Sequence, residues 1–419
     1  MFRLLMLLAF AAASAMSHAD GVAQVAAENV GFSSAGLAKI QPWMEERVAA
    51  GKVPGMVTMV ARHGKVVSFG SAGILDLETG AEVQNDSLFR IYSMTKPVVA
   101  VGLMMLYEED RFELDDPVAK YIPEFADLKV LEGENEVAAN RPMTIADLLR
   151  HTAGLTYGFF GNTPVDQMYR KANVLSQTDL AAMAAVMKDI PLQFQPGTRW
   201  HYSVAVDVTG YLIERISGKT LDVYLDERIL QPLGMTDTGF AVPDAQLERF
   251  GTNHSYNAAD SKFMVIDAPR VTDERPNPGF IGDVTFFSGG GGLVSTAEDY
   301  MRFALMLAAG GELNGVRILQ EQTLAMMTQD QLPEGIPGVF GGAMRFGYGF
   351  AIVGEGAGNP LAIGSPGSYF WLGAAGTRFW VDPVEDLVGI MMIQVNNSRE
   401  PLANQFAELI YAALQESDR

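Results

Sequence analysis

Ser93-Met94-Thr95-Lys96 places a hydroxyl and an amine at positions i and i+3, and Tyr202-Ser203-Val204 follows about a hundred residues later. On a helix, residues three apart share a face. A serine at a helix start then has the lysine amine within hydrogen-bond reach, a nucleophile beside its own base with no histidine required. The flanks fit this placement. Phe89-Arg90-Ile91-Tyr92 is aromatic and branched, as in an extended approach. Val98 to Glu108 is an apolar run with few breakers. With Ser93 as N-cap, Pro97 falls at the fourth helical position, where its missing N–H is one the first turn leaves unpaired. The competing reading is that Ser93 only caps a buried helix. The motif needs the rest of the chain to decide.

The chain has 419 residues, 48% of them hydrophobic and 19% charged. That is enough for two or three lobes around a large core, and not the composition of a disordered chain. A formal net charge of −20 with no Lys/Arg cluster excludes a nucleic-acid partner. Met1-Phe2-Arg3, the apolar Leu4 to Ala15 and the small residues near Ser17-His18-Ala19 read as a secretory signal over 1–19, cleaved after Ala19. The apolar run is too short for a membrane span, so the mature chain is expected to carry none. With no cysteine there is neither disulfide nor thiolate chemistry. Export predicts a periplasmic or secreted protein.

Periodicity predicts the elements. Ala35 to Ala50 repeats apolar residues at helical spacing and ends at Gly51 and Pro54-Gly55. Met56 to Ala61, Val66 to Gly70 and Ala72 to Asp76 are β-type runs, the first two joined by a turn at His63-Gly64-Lys65. Helices are predicted at Met143 to His151, Thr178 to Asp189, Ala205 to Ile216, Asp222 to Leu230 and Thr296 to Ala309. Strands return at Tyr348 to Val353, Phe370 to Val381 and Leu387 to Val395, and Pro401 to Gln415 is a closing helix. The expected class is α/β (α+β): an antiparallel sheet flanked by helices, plus a mostly helical inserted lobe. The boundaries are 20–92 with 290–419 for a discontinuous α/β domain, and 93–289 for the helical domain, whose Ser-x-x-Lys helix lies at the interface. The cleft between them is the expected site.

Other chemistries fail by inspection. No serine has the full Gly-x-Ser-x-Gly pattern; Gly70-Ser71-Ala72-Gly73 and Gly364-Ser365-Pro366-Gly367 are near misses that read as turns. No pair of histidines has metal-ligand spacing, so no metal is expected. Gly289 to Gly292 lacks the Gly-Lys-Ser/Thr of a phosphate loop and reads as a tight backbone approach before the Thr296 helix.

Five motifs occur in order: Ser93-Met94-Thr95-Lys96-Pro97, Leu148-Leu149-Arg150-His151-Thr152-Ala153-Gly154-Leu155, Pro196-Gly197-x-x-Trp200-x-Tyr202-Ser203, Gly290 to Ala297, and Trp371-Leu372-Gly373-Ala374-Ala375-Gly376-Thr377. From about Ala35 to the C-terminus the chain resembles the family VIII carboxylesterases. These are the esterase branch of the class C β-lactamase and DD-peptidase superfamily. The resemblance implies that superfamily's fold and a serine ester hydrolase with no cofactor. Ser93 then resembles the nucleophile, Lys96 its partner base, and Tyr202 the tyrosine facing the serine. The backbone N–H groups of Ser93 and Ala374 would form the oxyanion hole. Lys96 and Tyr202 are expected to act as a coupled pair.

Two departures set the expected substrate. Val204 stands where β-lactamases have the Asn of Tyr-x-Asn, and Trp371 where they have the Lys of Lys-Thr-Gly. Both changes exchange polar recognition for apolar surface, which favours neutral esters, expected with short to medium acyl chains, over anionic lactams and leaves β-lactam hydrolysis as a weak side activity. Trp371, Gly373, Val204, Tyr157 and Phe159 are the expected pocket residues. Tyr157, Phe159 and Phe160 either line the mouth of an acyl pocket or pack a loop. His151 and His201 read as structural, with His151 bonding loop backbone. Asp382 and Asp386 read as strand-turn residues. The alternatives on the same fold are a class C-like β-lactamase, a DD-peptidase and an acyltransferase. A non-catalytic penicillin- or peptidoglycan-binding protein is the alternative of another class.

Overall fold

The computed structural model describes residues 24–257, 259, 260, 262–267, 280–340, 342, 344–356, 361–396, 398 and 400–415. The signal-like stretch 1–19 lies outside them. An eight-stranded antiparallel sheet forms the centre. Residues before Ser93 supply β1 (Gly55–Arg62), β2 (Lys65–Asp76) and β3 (Ala81–Glu82). Residues after Gly290 supply β4 (Met344–Phe346), β5 (Ala351–Val353), β6 (Tyr369–Leu372), β7 (Arg378–Asp382) and β8 (Leu387–Met392). The spatial order is β4-β5-β6-β7-β8-β1-β2-β3. Strand β1 pairs with β8 in the register Val57↔Met392, so the two chain ends close one sheet.

β7 shows how the layers form. Successive strand residues point to opposite faces. Phe379 meets Tyr300 of helix α4 (Ala297–Ala308) at 5.0 Å between ring centroids. Trp380 meets Phe406 of α5 (Leu402–Ala412) at 5.8 Å on the other face, and Trp43 of α1 (Ile40–Ala49) stacks on Phe406 from there. Helices cover both faces, which is why β1, β7 and β8 are buried along their whole length. Gly389, opposite Trp380 in the ladder, leaves room for the indole: a Cβ there would stand 2.2 Å from it.

The central helix α2 (Thr95–Glu108) is buried from Thr95 to Leu106. It packs against α3 (Ala205–Ser217), and Gly102 makes room for Leu225. Most predicted elements are present, with local differences. The first helix breaks into Ser34–Leu37 and α1, and the two runs after His63 are one strand. Phe370 to Val381 is a hairpin, β6 and β7, whose turn carries Gly373 and Ala374. Asp222 to Leu230 is the helix Leu221–Leu225 followed by a wider turn, Asp226–Leu230. Among the described residues between Ser93 and Gly289, helices and loops predominate, with the hairpins Lys129–Glu132/Asn135–Ala138 and Asn253–Asn257/Lys262–Asp267 among them. No helix among the described residues is long and apolar enough to cross a membrane.

Candidate active site

Ser93 sits in a single 3-10 turn, Tyr92–Met94, ahead of α2. Met94, not Ser93, is the N-cap of that helix, and Pro97 is its third residue rather than its fourth. Ser93 is thereby free of capping, and it is half-buried. Tyr92 has φ 42°, a left-handed conformation that costs a non-glycine residue about 1 kcal/mol or more. Asn253 Nδ2 donates to the Tyr92 hydroxyl at 2.7 Å, and Tyr300 Oη donates to the Met94 carbonyl at 2.9 Å. These bonds hold the turn from both sides.

Lys96 is buried one turn further on. Its Nζ donates to Ser93 Oγ at 3.1 Å and to the Gly290 carbonyl at 2.5 Å. The Tyr202 ring lies beneath the same nitrogen at 4.6 Å and the Tyr157 ring at 5.3 Å. Ser93, Lys96 and Tyr202, a hundred residues apart in sequence, therefore meet. The Tyr202 hydroxyl is buried, and its neighbour there is the Tyr157 phenol. Burial, and then the neighbouring Tyr202 and Asp207, push the Tyr157 phenol well above its usual range, so it stays a neutral hydroxyl.

His151 is buried at φ 58°. Its ring meets the Ser203 hydroxyl at 3.4 Å, not loop backbone as expected; its carbonyl instead accepts from the His201 N–H at 2.9 Å. Burial, with Lys96 and His201 nearby, holds its imidazole well below the usual range, so it is neutral. His201 turns away from Tyr202 to Thr156 Oγ1, at 3.3 Å. Asp382 is a strand-turn residue, accepting from the Val384 N–H and the Tyr411 hydroxyl.

Asp207, which the sequence reading passed over, stands on the first turn of α3 and is fully buried. Its Oδ1 accepts from Ser288 Oγ at 2.5 Å and from the Gly290 N–H at 3.0 Å. Its Oδ2 has no partner among the described residues. The carboxyl lies above its usual range, because burial pushes it up more than Lys96, the Ser288 hydroxyl and the Gly290 N–H pull it back. A charged residue inside the apolar run Ala205 to Ile213 was the available signal. The glycine run makes the tight approach expected of it: a Cβ on Gly289 would lie 2.4 Å from the Val206 carbonyl.

The turn after β6 closes the other side. Strand β6 packs on the Tyr92–Met94 turn, and a Cβ at Gly373 would stand 2.4 Å from the Ile91 carbonyl. Ala374, the next residue, is exposed beside the serine turn. Of the expected pocket residues, Tyr157 is half-buried, and Phe159 and Phe160 are 60% and 64% exposed at the mouth, with rings 4.6 Å apart. Trp371 is buried among Tyr202, Phe340 and Phe346. Val204 and Gly373 are also buried, Val204 at 0% exposure in the core at the start of α3, so none of these three expected pocket residues offers open surface to a ligand. No cluster of three acidic or histidine side chains suited to a metal occurs among the described residues.

The sequence profile of the Beta-lactamase family matches residues 40–412. This chain belongs to the beta-lactamase family. Within that family it is 36% identical to Protein Rv1367c of Mycobacterium tuberculosis over 372 residues, 84% of this chain and 89% of that one. It is 28% identical to Esterase EstB of Burkholderia gladioli, over 90% of this chain and 95% of the esterase. The solved structure of EstCE1, a hydrolase with promiscuous acyltransferase activity, superposes with a TM-score of 0.77 at 26% identity, covering 90% of this chain and 99% of EstCE1. The beta-lactamase fold, an antiparallel sheet with helices on both faces, is the one expected from the sequence.

Proposed function

We propose that this beta-lactamase-family chain is a serine carboxylesterase that hydrolyses neutral esters with short to medium acyl chains through an acyl-enzyme on Ser93. The contact of Lys96 Nζ with Ser93 Oγ at 3.1 Å, over the Tyr202 ring, carries the reading. Ser93 attacks the ester carbonyl, and Lys96 and Tyr202 take its proton and pass it to the leaving alcohol. The N–H groups of Ser93 and Ala374 receive the tetrahedral oxyanion; such donors are worth about 3 kcal/mol each. Water, activated by Tyr202, then releases the acid.

Several observations support an ester rather than an anionic lactam. The lysine place is taken by Trp371, whose ring is packed among Tyr202, Phe340 and Phe346. The mouth is aromatic. The resemblance to Esterase EstB points the same way. EstCE1's promiscuous acyltransferase activity favours a second use of the same intermediate, interception by an alcohol in place of water. The signal-like stretch 1–19 supports action in the periplasm or outside the cell.

The test compares p-nitrophenyl acetate, butyrate and a long-chain ester with nitrocefin. The expected result is ester turnover about a hundredfold or more above nitrocefin. Nitrocefin turnover above the esters would overturn the substrate class.

A further inference from the structure

Asp207 is not explained by the packing of α3. An aspartate in a first helical turn ordinarily caps its own helix or meets solvent. This one is fully buried and turned across to the glycine-rich loop. Gly290 links it to the lysine: the Gly290 N–H donates to Asp207, and the Gly290 carbonyl accepts from Lys96. The unpartnered Oδ2 points into the same space. A Cβ on Gly290 would lie 2.4 Å from Oδ2 and 2.9 Å from the Tyr157 hydroxyl. The groups facing the carboxylate are Lys96 from α2, Tyr157 from the loop before residue 163, Ser288 and Gly290 from the glycine-rich loop, and Tyr202 beside Tyr157.

We propose that Asp207 is a positioning residue for the esterase reaction: it fixes the Gly290 carbonyl against Lys96 and provides the buried negative charge against which Lys96 and Tyr202 exchange the Ser93 proton. No proton leaves Asp207 in the cycle. The Ser93 proton passes to the Lys96–Tyr202 pair and then to the departing alkoxide, which leaves as the alcohol. The charge of the carboxylate lies beside the groups that move this proton, so it bears on the pH dependence of turnover. The inference rests on the ester-hydrolase reading above.

The experiment is a pH–rate profile of p-nitrophenyl butyrate hydrolysis by wild type, Asp207→Asn, Ser288→Ala and Ser93→Ala. Asp207→Asn keeps the size and an acceptor for Ser288 and Gly290 but removes the charge. It should lower kcat about tenfold or more and leave KM within about twofold. It should also move the acid limb of kcat/KM to lower pH by about one unit, because a buried negative charge beside the reacting groups is removed. Ser288→Ala, which removes one donor from Asp207, should move the limb the same way by less. If Asp207→Asn does not fold, Ser288→Ala carries the test. Limbs superimposable on wild type overturn the proposal, whatever activity is lost, because a merely structural role would not move them. If Ser93→Ala keeps ester turnover, the ester-hydrolase reading itself fails. Loss in Ser93→Ala with unmoved limbs defeats only the role of Asp207.

Discussion

At the scale of single residues, the site depends on backbone that leaves room for side chains. Gly290 shows this most sharply. A methyl group there would press on both Asp207 Oδ2 and the Tyr157 hydroxyl, and one of them must move. Gly290→Ala should therefore cut kcat by about a hundredfold through misplacement of the Lys96 acceptor. Thermal melting should still be cooperative, because the glycine lies in a loop. Wild-type kcat in this variant would contradict the packing described. The residues that were legible in the sequence are those whose chemistry is local or patterned. Ser93 and Lys96 sit at i and i+3, and Tyr202 follows a Pro-Gly-x-x-Trp turn signal. Asp207 was not legible, because its partners Ser288, Gly290 and Lys96 come from two other elements. Val204 and Gly373 were misplaced for a related reason. Alignment locates a residue along the chain, but burial depends on what packs over it.

At the scale of elements, the helix that presents the nucleophile begins later than capping rules predicted. Ser93 looked like an N-cap, yet a 3-10 turn precedes α2, and the strained Tyr92 turns the serine outward. Propensity carries no sign of such a turn, since it is imposed by Asn253 and Tyr300 from elsewhere in the fold. The start of α4 did follow capping rules: the Thr296 hydroxyl accepts from the Asp299 N–H at 3.1 Å. Asp299 itself is buried and accepts from the Asp237 N–H at 2.7 Å and the Thr238 hydroxyl at 2.9 Å. Burial raises its carboxyl from 3.8 to about 6. The folded state thus prefers the protonated acid, and ionisation of this group costs the fold about 3 kcal/mol as pH rises from about 4 through about 6. The stability of Asp299→Asn relative to wild type should accordingly improve over that range, as read by urea unfolding at several pH values. A gap independent of pH would contradict this account.

At the scale of the whole molecule, one sheet joins residues before Ser93 to residues after Gly290, and the serine turn packs between the end of its interior strand β6 and the glycine run. This architecture was legible from hairpin-spaced strands near both ends. The long-range register that closes it, β1 on β8, was not, because strand pairing across 300 residues leaves no local signal. Beyond the half-buried Tyr157, the exposed rings of Phe159 and Phe160 form an apolar rim. Replacing Phe159 and Phe160 together by Ala should raise KM for p-nitrophenyl butyrate about tenfold and leave kcat within about twofold. An unchanged KM would place the acyl chain elsewhere. The central claim is the covalent one, and the most direct measurement is intact and peptide mass spectrometry after rapid quenching with a slowly deacylating ester. The account predicts a single acyl adduct on the peptide containing Ser93, absent in Ser93→Ala together with ester turnover. An adduct on another residue, or turnover that survives in Ser93→Ala, would contradict it.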